Sequence, residues 1–365
     1  MKKITIISNS QFMILCLFFI MGSSVLFLPS ILTNVAKQDA IFSVVLGSIF
    51  GCVLTYLYSI YAKQFHDQSY IDSIKHTFGI KIGLIFIWPT FIFYFFVCAV
   101  LLWDIGDFIV TQILPGTPIQ SIYILFLIVV VYIVRLGVET TARTAEIFLP
   151  WILLLFLLLV LLSLPGIEMK NILPVFENGI SPIMYGAYYM VGFPFLELII
   201  LLSFTPYVEK QKYLTRYFIM GVGLGSIVLI ILTAYCVLIL GPGITARSEF
   251  PIYSLGKKVS IGNFLERLEI FVAIIWFISI FFKLTLSFYA LSLSVSTLFK
   301  IEDHRKVTTP LAFLVFMLTL ILFPSSIFLK EFSQYASTPF MIVVGLIIPF
   351  ITLMASRLKK RKKER

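Results

Sequence analysis

Lys283, Glu197 and Asp104 are among the ionisable side chains that lie within long apolar stretches of this chain, where a charge is costly. Each is surrounded in sequence by mainly hydrophobic residues. Ionisable groups inside a membrane are rare, and they need an opposite charge or mark a functional pathway. Lys283 lies well inside its stretch, so it is the residue for which we most expect a function. Glu197 either pairs with a basic partner or acts on a ligand, and Asp104 is either solvated near the membrane surface or part of a charged vestibule.

Glycine and proline interrupt two of the apolar stretches. Residues 22–29 read GSSVLFLP, and residues 192–194 read GFP. A membrane-spanning helix keeps its backbone hydrogen bonds internal, so a break is tolerated only where the freed N–H and C=O groups line a protected cavity. The N-terminus of a half-helix suits a carboxylate, and unwound carbonyls suit a cation or an ammonium group. The two breaks therefore predict a small-molecule site near the bilayer midplane.

The residues around these breaks form the predicted ligand site. Glycine permits close approach of the backbone, serine hydroxyls add contacts, and apolar side chains of the sixth stretch can line a pocket. Tyr94 and Cys98 of the third stretch are expected at the depth of the breaks. Thr285 and Tyr289 lie on the helix face next to the one that carries Lys283. The predicted ligand-binding residues are Gly22, Ser23, Ser24, Val25, Tyr94, Cys98, Gly192, Phe193, Leu196, Thr285 and Tyr289.

Ordinary helix packing is the alternative interpretation for small, aromatic and hydroxyl residues in such a chain. Small residues let helix backbones approach each other, and serine or threonine hydroxyls bond to their own helix without any function. We favour packing for two GxxxG pairs, Gly47/Gly51 and Gly221/Gly225. For Gly22 to Val25 we favour the ligand site, because a second break lies in the sixth stretch.

The composition requires that these residues be positioned by membrane-spanning helices. The chain is 60% hydrophobic and 13% charged, with a mean hydropathy of +1.03, a balance that a soluble domain of this length does not carry. About 20 apolar residues are needed to cross a bilayer. The sequence predicts one all-α integral membrane domain over residues 1–365, with spanning segments near 9–31, 40–62, 82–113, 119–136, 145–165, 181–205, 214–240, 264–298, 309–328 and 338–356.

The ten segments divide into two sets of five. The first and sixth segments are the broken pair, and the third and eighth are the long pair. Two independent features at a five-segment spacing predict a five-plus-five inverted repeat, the arrangement of many transporters. The long outer connection, residues 241–262, is either an external lid or a passive connector.

The basic residues are distributed unevenly between the two sides of the membrane. With the N-terminus inside, 20 of them fall on the cytoplasmic side and seven on the opposite side. By the positive-inside rule both termini are expected in the cytoplasm, and the net charge of +10 does not indicate nucleic acid. The basic tail, residues 357–365, either anchors the chain to anionic membrane lipid or docks a cytoplasmic domain of a partner.

Three sequence stretches together resemble one protein family. They are residues 22–29, residues 250–256 (FPIYSLG) and residues 264–276, which begin FLERLE and end at Trp276. The chain resembles the B subunit of the GerA-type spore germinant receptors, within the amino acid/polyamine/organocation permease superfamily. The resemblance implies a germinant-sensing role in the spore inner membrane beside an A subunit and a C subunit that is a lipoprotein.

Three functions remain open at this stage. The chain is a receptor subunit that binds a small-molecule germinant such as an amino acid, an autonomous proton-coupled amino acid permease, or an assembly subunit with a vestigial pocket. The sequence has no nucleotide-binding loop, metal-ligand spacing or catalytic triad, so we expect no enzyme activity, no cofactor and no metal. Lys283 lies where sodium-coupled relatives of such a fold hold an ion, so its ammonium group either replaces that ion or titrates with protons.

Overall fold

The chain folds almost entirely into helices. The computed structural model describes residues 6–258, 267–322 and 338–363. In these residues nine helical stretches are long and apolar enough to cross a membrane. The first of them, Ser24–Gln64, changes direction at Lys37, whose φ is 51°. It is therefore the second half of helix 1 followed by helix 2, and the short apolar helix Asn9–Met21 is the first half of helix 1. The described residues therefore contain ten membrane-spanning helices, and this protein is an integral membrane protein.

The ten helices have the following bounds. Helix 1 comprises Asn9–Met21 and Ser24–Ala36, helix 2 Ala40–Gln64, helix 3 residues 80–108 with a π-helical end Ile109–Ile113, helix 4 Ile119–Leu136, and helix 5 Val138–Ser163. Helix 6 comprises Ser181–Met190, Val191–Phe195 and Leu196–Ser203, helix 7 Leu214–Tyr235 with Cys236–Leu240, helix 8 Glu269–Phe299, helix 9 Arg305–Leu322, and helix 10 Thr338–Ile342, Val343–Ile347 and Ile348–Lys363.

Helix 5 begins at Val138 rather than near residue 145. Gly137, at φ 102°, ends helix 4, and helix 5 starts directly after it. Its first two turns are polar, and they carry an exposed ion pair between Arg143 and Glu139, 2.5 Å apart. Hydropathy alone therefore placed the start too late. Helix 9 similarly begins at Arg305 rather than at residue 309. The predicted start of helix 8 at residue 264 and the predicted end of helix 9 at residue 328 lie outside the described residues.

Two α-helical regions of the described residues lie outside the spanning helices. Residues 70–78 form a surface helix that ends at Gly79, whose φ of 76° separates it from helix 3. The connection between helices 7 and 8 contains two lid helices, Pro242–Arg247 and Pro251–Lys258. We call the end of the bundle where helix 1 begins and helix 10 ends the terminal face, and the end that carries the lid helices the lid face.

The two broken helices lie at the centre of the bundle. Both halves of helix 1 pack on other spanning helices, the first half on helices 5, 7 and 8, and the second half on helix 6. Helix 3 packs along helix 8. Helices 1 to 5 and 6 to 10 form a five-plus-five inverted repeat with broken helices 1 and 6.

Glycines bring the scaffold helices close to the broken pair. A Cβ atom at Gly221 of helix 7 would lie 2.4 Å from the Met13 carbonyl oxygen of helix 1. A Cβ atom at Gly51 of helix 2 would lie 2.3 Å from the Phe195 ring of helix 6. The packing interpretation of both GxxxG pairs is therefore confirmed.

Candidate ligand site at the helix breaks

Helix 1 is interrupted at Gly22 and Ser23. The first half ends at Met21, with the Gly22 N–H donating to the Phe18 carbonyl at 2.9 Å, and the second half begins at Ser24. At the ends of the two half-helices, some backbone N–H and C=O groups do not take part in the regular helical hydrogen bonds. The start of the second half, Ser24 and Val25, therefore presents the positive end of a helix dipole inside the bundle.

Helix 6 is interrupted around Phe193 and Pro194. Phe193 is extended, with φ −129° and ψ 113°, and Pro194 has no N–H to donate. The Tyr58 hydroxyl of helix 2 donates to the Gly345 carbonyl of helix 10 at 2.6 Å, and it lies 3.3 Å from the Leu196 carbonyl just after the break. Tyr58 therefore satisfies carbonyl groups where helices 6 and 10 depart from regular α-helix.

Replacing Tyr58 by phenylalanine is expected to destabilise the fold without removing it. The change leaves the buried Gly345 and Leu196 carbonyls without this donor, a cost of about 1–3 kcal/mol. We expect a lower thermal unfolding midpoint for purified Tyr58→Phe protein in detergent. Tyr56 lies on the same helix with 52% of its surface exposed, so Tyr56→Phe is the matched control and should leave the midpoint unchanged. Equal midpoints for the two variants would contradict this role of Tyr58.

Lys283 and Glu197 form a buried ion pair beside the two breaks. Lys283 Nζ lies 2.5 Å from Glu197 Oε2, and the side chains are 0% and 6% exposed. Lys283 Nζ also donates to the Ser23 hydroxyl at 3.3 Å. The pair therefore joins helix 8, helix 6 and the break of helix 1. Of the two alternatives for Glu197, the structure shows the basic partner.

Aromatic rings and a glycine complete the surroundings of the Lys283 side chain. Its ammonium group lies 4.8 Å from the centre of the Phe193 ring and 5.4 Å from that of Phe19. A ring face attracts a cation at these distances. A Cβ atom at Gly22 would lie 2.3 Å from Lys283 Cδ, so Gly22 provides the space through which the lysine reaches Glu197. The structure thus brings together Gly22, Ser23, Phe193, Glu197 and Lys283.

The remaining predicted residues lie at different distances from this pair. Ser24, Val25, Tyr94, Cys98, Leu196 and Thr285 are buried in the bundle, and Gly192 packs on Thr338 of helix 10. Tyr289 lies six residues beyond Lys283, about 9 Å along the helix. Its ring contacts Phe204 at 5.5 Å and stacks on His304 at 4.9 Å. Burial lowers the pKa of His304, which favours the neutral imidazole that stacks there. Tyr289 therefore lies at the terminal face rather than beside the ion pair.

Asp104 of helix 3 is buried, with 5% of its surface exposed. The alternative of a solvated interfacial side chain is therefore wrong. Asp104 belongs to the interior of the bundle.

Both ends of the bundle are closed over the helix breaks. At the lid face the Phe250 ring contacts Phe27 of helix 1 at 5.4 Å and Phe108 of helix 3 at 5.1 Å, and Phe108 contacts Trp276 of helix 8 at 4.7 Å. The lid helices therefore pack over this end of the bundle, and the choice between a lid and a passive connector stays a prediction.

The terminal face is closed by the chain before helix 1. The Ile7 N–H donates to the Tyr207 carbonyl at 2.8 Å, and the Glu209 N–H donates to the Ile7 carbonyl at 3.0 Å. This short ladder joins the start of helix 1 to the chain that follows helix 6. Together with the lid, it leaves the ion pair enclosed.

Sequence reasoning missed several residues that shape the site. Phe19 lies one turn before Gly22, so its place beside the break followed from helical spacing. Nothing in the sequence indicated a role for Tyr58 or Gly345, because neither residue is unusual in an apolar helix. Within the described ranges, no group of three His, Cys, Asp or Glu side chains could hold a metal ion.

Solved structures define the class of this fold. The chain aligns with MhsT in complex with L-phenylalanine at a TM-score of 0.64 and 18% identity, over 93% of this chain and 87% of that one. It aligns with Mhp1, a nucleobase-cation-symport-1 family transporter, at a TM-score of 0.66 and 13% identity, over 93% and 78%. The protein therefore has an inverted-repeat transporter fold with a buried polar site at the helix breaks.

Sequence comparison gives the family. Residues 6–328 match the family described as spore germination protein, and the chain belongs to this family. It is 27% identical over 369 residues to spore germination protein KB of Bacillus subtilis (strain 168), covering 98% of this chain and 96% of that protein. It is also 27% identical to spore germination protein YndE of the same organism, over 80% of this chain and 81% of that protein. The resemblance to germinant receptor B subunits is confirmed at the level of the family, which is a permease-like rather than an enzyme family.

Proposed function

We propose that this protein is the transporter-like subunit of a spore germinant receptor that binds a small-molecule germinant at the breaks of helices 1 and 6. The germinant is an amino acid or a similar small molecule, and its binding helps to trigger germination. The observation that carries this proposal is the enclosed ion pair of Lys283 and Glu197, at which both broken helices meet. A buried ion pair stabilises a fold poorly compared with apolar packing, so its place at the helix breaks favours a function in ligand binding.

The proposed cellular setting follows from the family and the charge distribution. We place the protein in the spore inner membrane, with both termini in the cytoplasm, beside an A-type subunit and a C-type lipoprotein subunit. The excess of basic residues on the terminal face supports this orientation. The basic residues at the end of helix 10 favour contact with anionic membrane lipid.

Deletion of the gene tests the receptor role. We expect spores that lack it to lose the response to one class of germinant and to regain that response with the wild-type gene. Loss of uptake of an amino acid by growing cells, with a normal germination response, would instead favour an autonomous permease. A normal response to every germinant tested would contradict the receptor role.

The germinant response is expected to need no sodium. The Lys283 ammonium group would repel a sodium ion 4 Å away by about 4 kcal/mol at an effective dielectric constant of 20. Lysine and sodium should therefore exclude each other beside the break of helix 1. Dose-response curves of wild-type spores should coincide when sodium in the buffer is replaced by potassium. A strict requirement for sodium would contradict this role of Lys283.

A further inference from the structure

The connection between helices 5 and 6 exposes large apolar side chains outside the spanning helices. Met169, Leu173, Phe176 and Ile180 lie in this connection, residues 164–180, and are 68%, 65%, 51% and 67% exposed. At roughly 200 Å² for a large side chain, they expose on the order of 500 Å² in all. Exposed apolar surface of this extent is often functional in a soluble protein.

This connection lies beyond the ends of the spanning helices, at the level of the lid helices. The Glu168 N–H donates to the Leu238 carbonyl near the end of helix 7 at 3.1 Å, and Lys258 of the second lid helix donates to the next carbonyl along at 2.7 Å. Met169 lies between Glu168 and Lys170, which form an exposed ion pair at 2.9 Å. Because charges are costly in hydrocarbon, this part of the surface lies on the aqueous side, where lipid chains do not cover it.

Buried polar side chains hold the connection in one conformation. The Phe176 N–H donates to both carboxylate oxygens of Asp39 at 3.1 Å, and the Gln38 amide donates to the Pro174 carbonyl at 2.6 Å. Asp39 and Gln38 are 2% and 4% exposed. Phe176 has a φ of 58°, an uncommon conformation for a bulky residue that its surroundings must enforce. A fixed surface favours the binding of a protein, because less conformational freedom is lost on association.

The exposed surface continues along helix 6. Ser181, Met184, Tyr185 and Tyr188 lie on one face of this helix and line an open groove that is about 10 Å long. Met184, Tyr185 and Tyr188 are 47%, 61% and 40% exposed. With the connection, they expose on the order of 800 Å², about the share of one partner in a protein interface of standard size. The surface therefore extends from the aqueous side into the membrane.

We propose that this surface, residues 169–188, docks a membrane-spanning helix of a partner protein together with the segment that continues that helix outside the lid face. Such a helix and its continuation reach both parts of the surface. Lipid chains reach only the groove on helix 6, and a soluble domain reaches only the connection. The contacting side chains of the partner are mainly apolar, to match those of the surface. This docking does not depend on the site at the helix breaks.

Photo-crosslinking in intact spores tests this surface. A photoreactive amino acid replaces either Leu173 in the connection or Tyr185 in the groove of the full-length protein. We expect both positions to give an adduct with the same second protein. The crosslinked peptide should map to a spanning helix for position 185 and to the segment just outside that helix for position 173. Leu114 and Leu125, 51% and 64% exposed elsewhere on the molecule, are the control positions and should give no such adduct.

A charge placed on the surface provides the second test. Leu173→Glu should lower the yield of the adduct at position 185 about tenfold, a loss typical of one important interface contact. Leu114→Glu introduces the same charge at an exposed leucine outside the surface, so it should leave that yield unchanged. Immunoblots of spore membranes measure the amount of each variant, and adduct yields are compared per amount of protein.

The outcomes separate this proposal from the receptor role. Adducts with lipid alone, adducts with a second copy of this chain, or an adduct with a soluble or lipid-anchored domain at position 173 only would each overturn it. An unchanged yield in Leu173→Glu would overturn it as well. None of these results bears on the receptor role, which deletion of the gene tests separately. The expected adduct, found where the deletion strain responds normally to every germinant, would support this surface and contradict the receptor role.

Discussion

Replacing Lys283 by methionine is expected to abolish the germinant response and to destabilise the protein more than any other single change considered. Methionine keeps most of the length of the side chain but removes the ammonium group that lies 2.5 Å from Glu197. Glu197 would then be a buried carboxylate without its partner. Breaking a buried ion pair in this way costs about 3–5 kcal/mol. The germination dose-response and the amount of protein in spore membranes measure the two effects.

A double variant distinguishes the loss of the pair from the loss of the lysine alone. Glu197→Gln combined with Lys283→Met removes both charges, so it should recover much of the protein level that Lys283→Met loses. It should not recover the response, because the polar group beside the break is still absent. Lys63→Met, at an exposed position near the end of helix 2, serves as the control and should behave as the wild type. A fully active Lys283→Met protein would show that the lysine has no part in the response.

Replacing Gly22 by valine is expected to abolish the response while the protein remains in the membrane. A Cβ atom at this position would lie 2.3 Å from Lys283 Cδ and 3.1 Å from the Phe19 carbonyl oxygen. Valine would therefore displace the lysine from Glu197 and fill the space where the backbone would meet a ligand. Gly22→Ala adds less bulk and should shift the dose-response to higher germinant concentrations rather than remove it.

A second glycine provides the control for this change. A Cβ atom at Gly223 of helix 7 would meet nothing within 4 Å, so Gly223→Val should retain a normal response. Immunoblots of spore membranes measure the amount of each variant, so that the dose-responses are compared at a known protein level. A Gly22→Val protein at the normal level with an unchanged dose-response would contradict the assignment of the site to the break of helix 1.

The helix breaks and the charged residues could be predicted from the sequence because each violates a strong rule for membrane helices. Glycine and proline in the middle of apolar stretches marked helices 1 and 6, and isolated charges marked Lys283 and Glu197. The contact between these two charges could not be predicted. It depends on how helix 8 is rotated and how deep it lies relative to helix 6. Tertiary packing sets that arrangement, and the local sequence pattern of either helix does not show it.

Other features of the site depend on packing between distant parts of the chain. The role of Tyr58 depends on carbonyl groups of helices 6 and 10 that approach helix 2 only in the folded bundle. The burial of Asp104 was not predicted, because its place near the end of an apolar stretch suggested solvent. The packing of the lid helices over Phe27 and Phe108 covers that end of the bundle.

A structure of the full-length protein with a bound amino acid tests the central claim most directly. The protein would be studied in lipid nanodiscs at a saturating concentration of the amino acid that stabilises it most. The proposed function predicts density for the ligand between residues 22–25 of helix 1 and residues 192–196 of helix 6, in contact with the side chains around Lys283 and Glu197. Ligand density at another place in the molecule, with helices 1 and 6 unchanged and no ligand at their breaks, would contradict it.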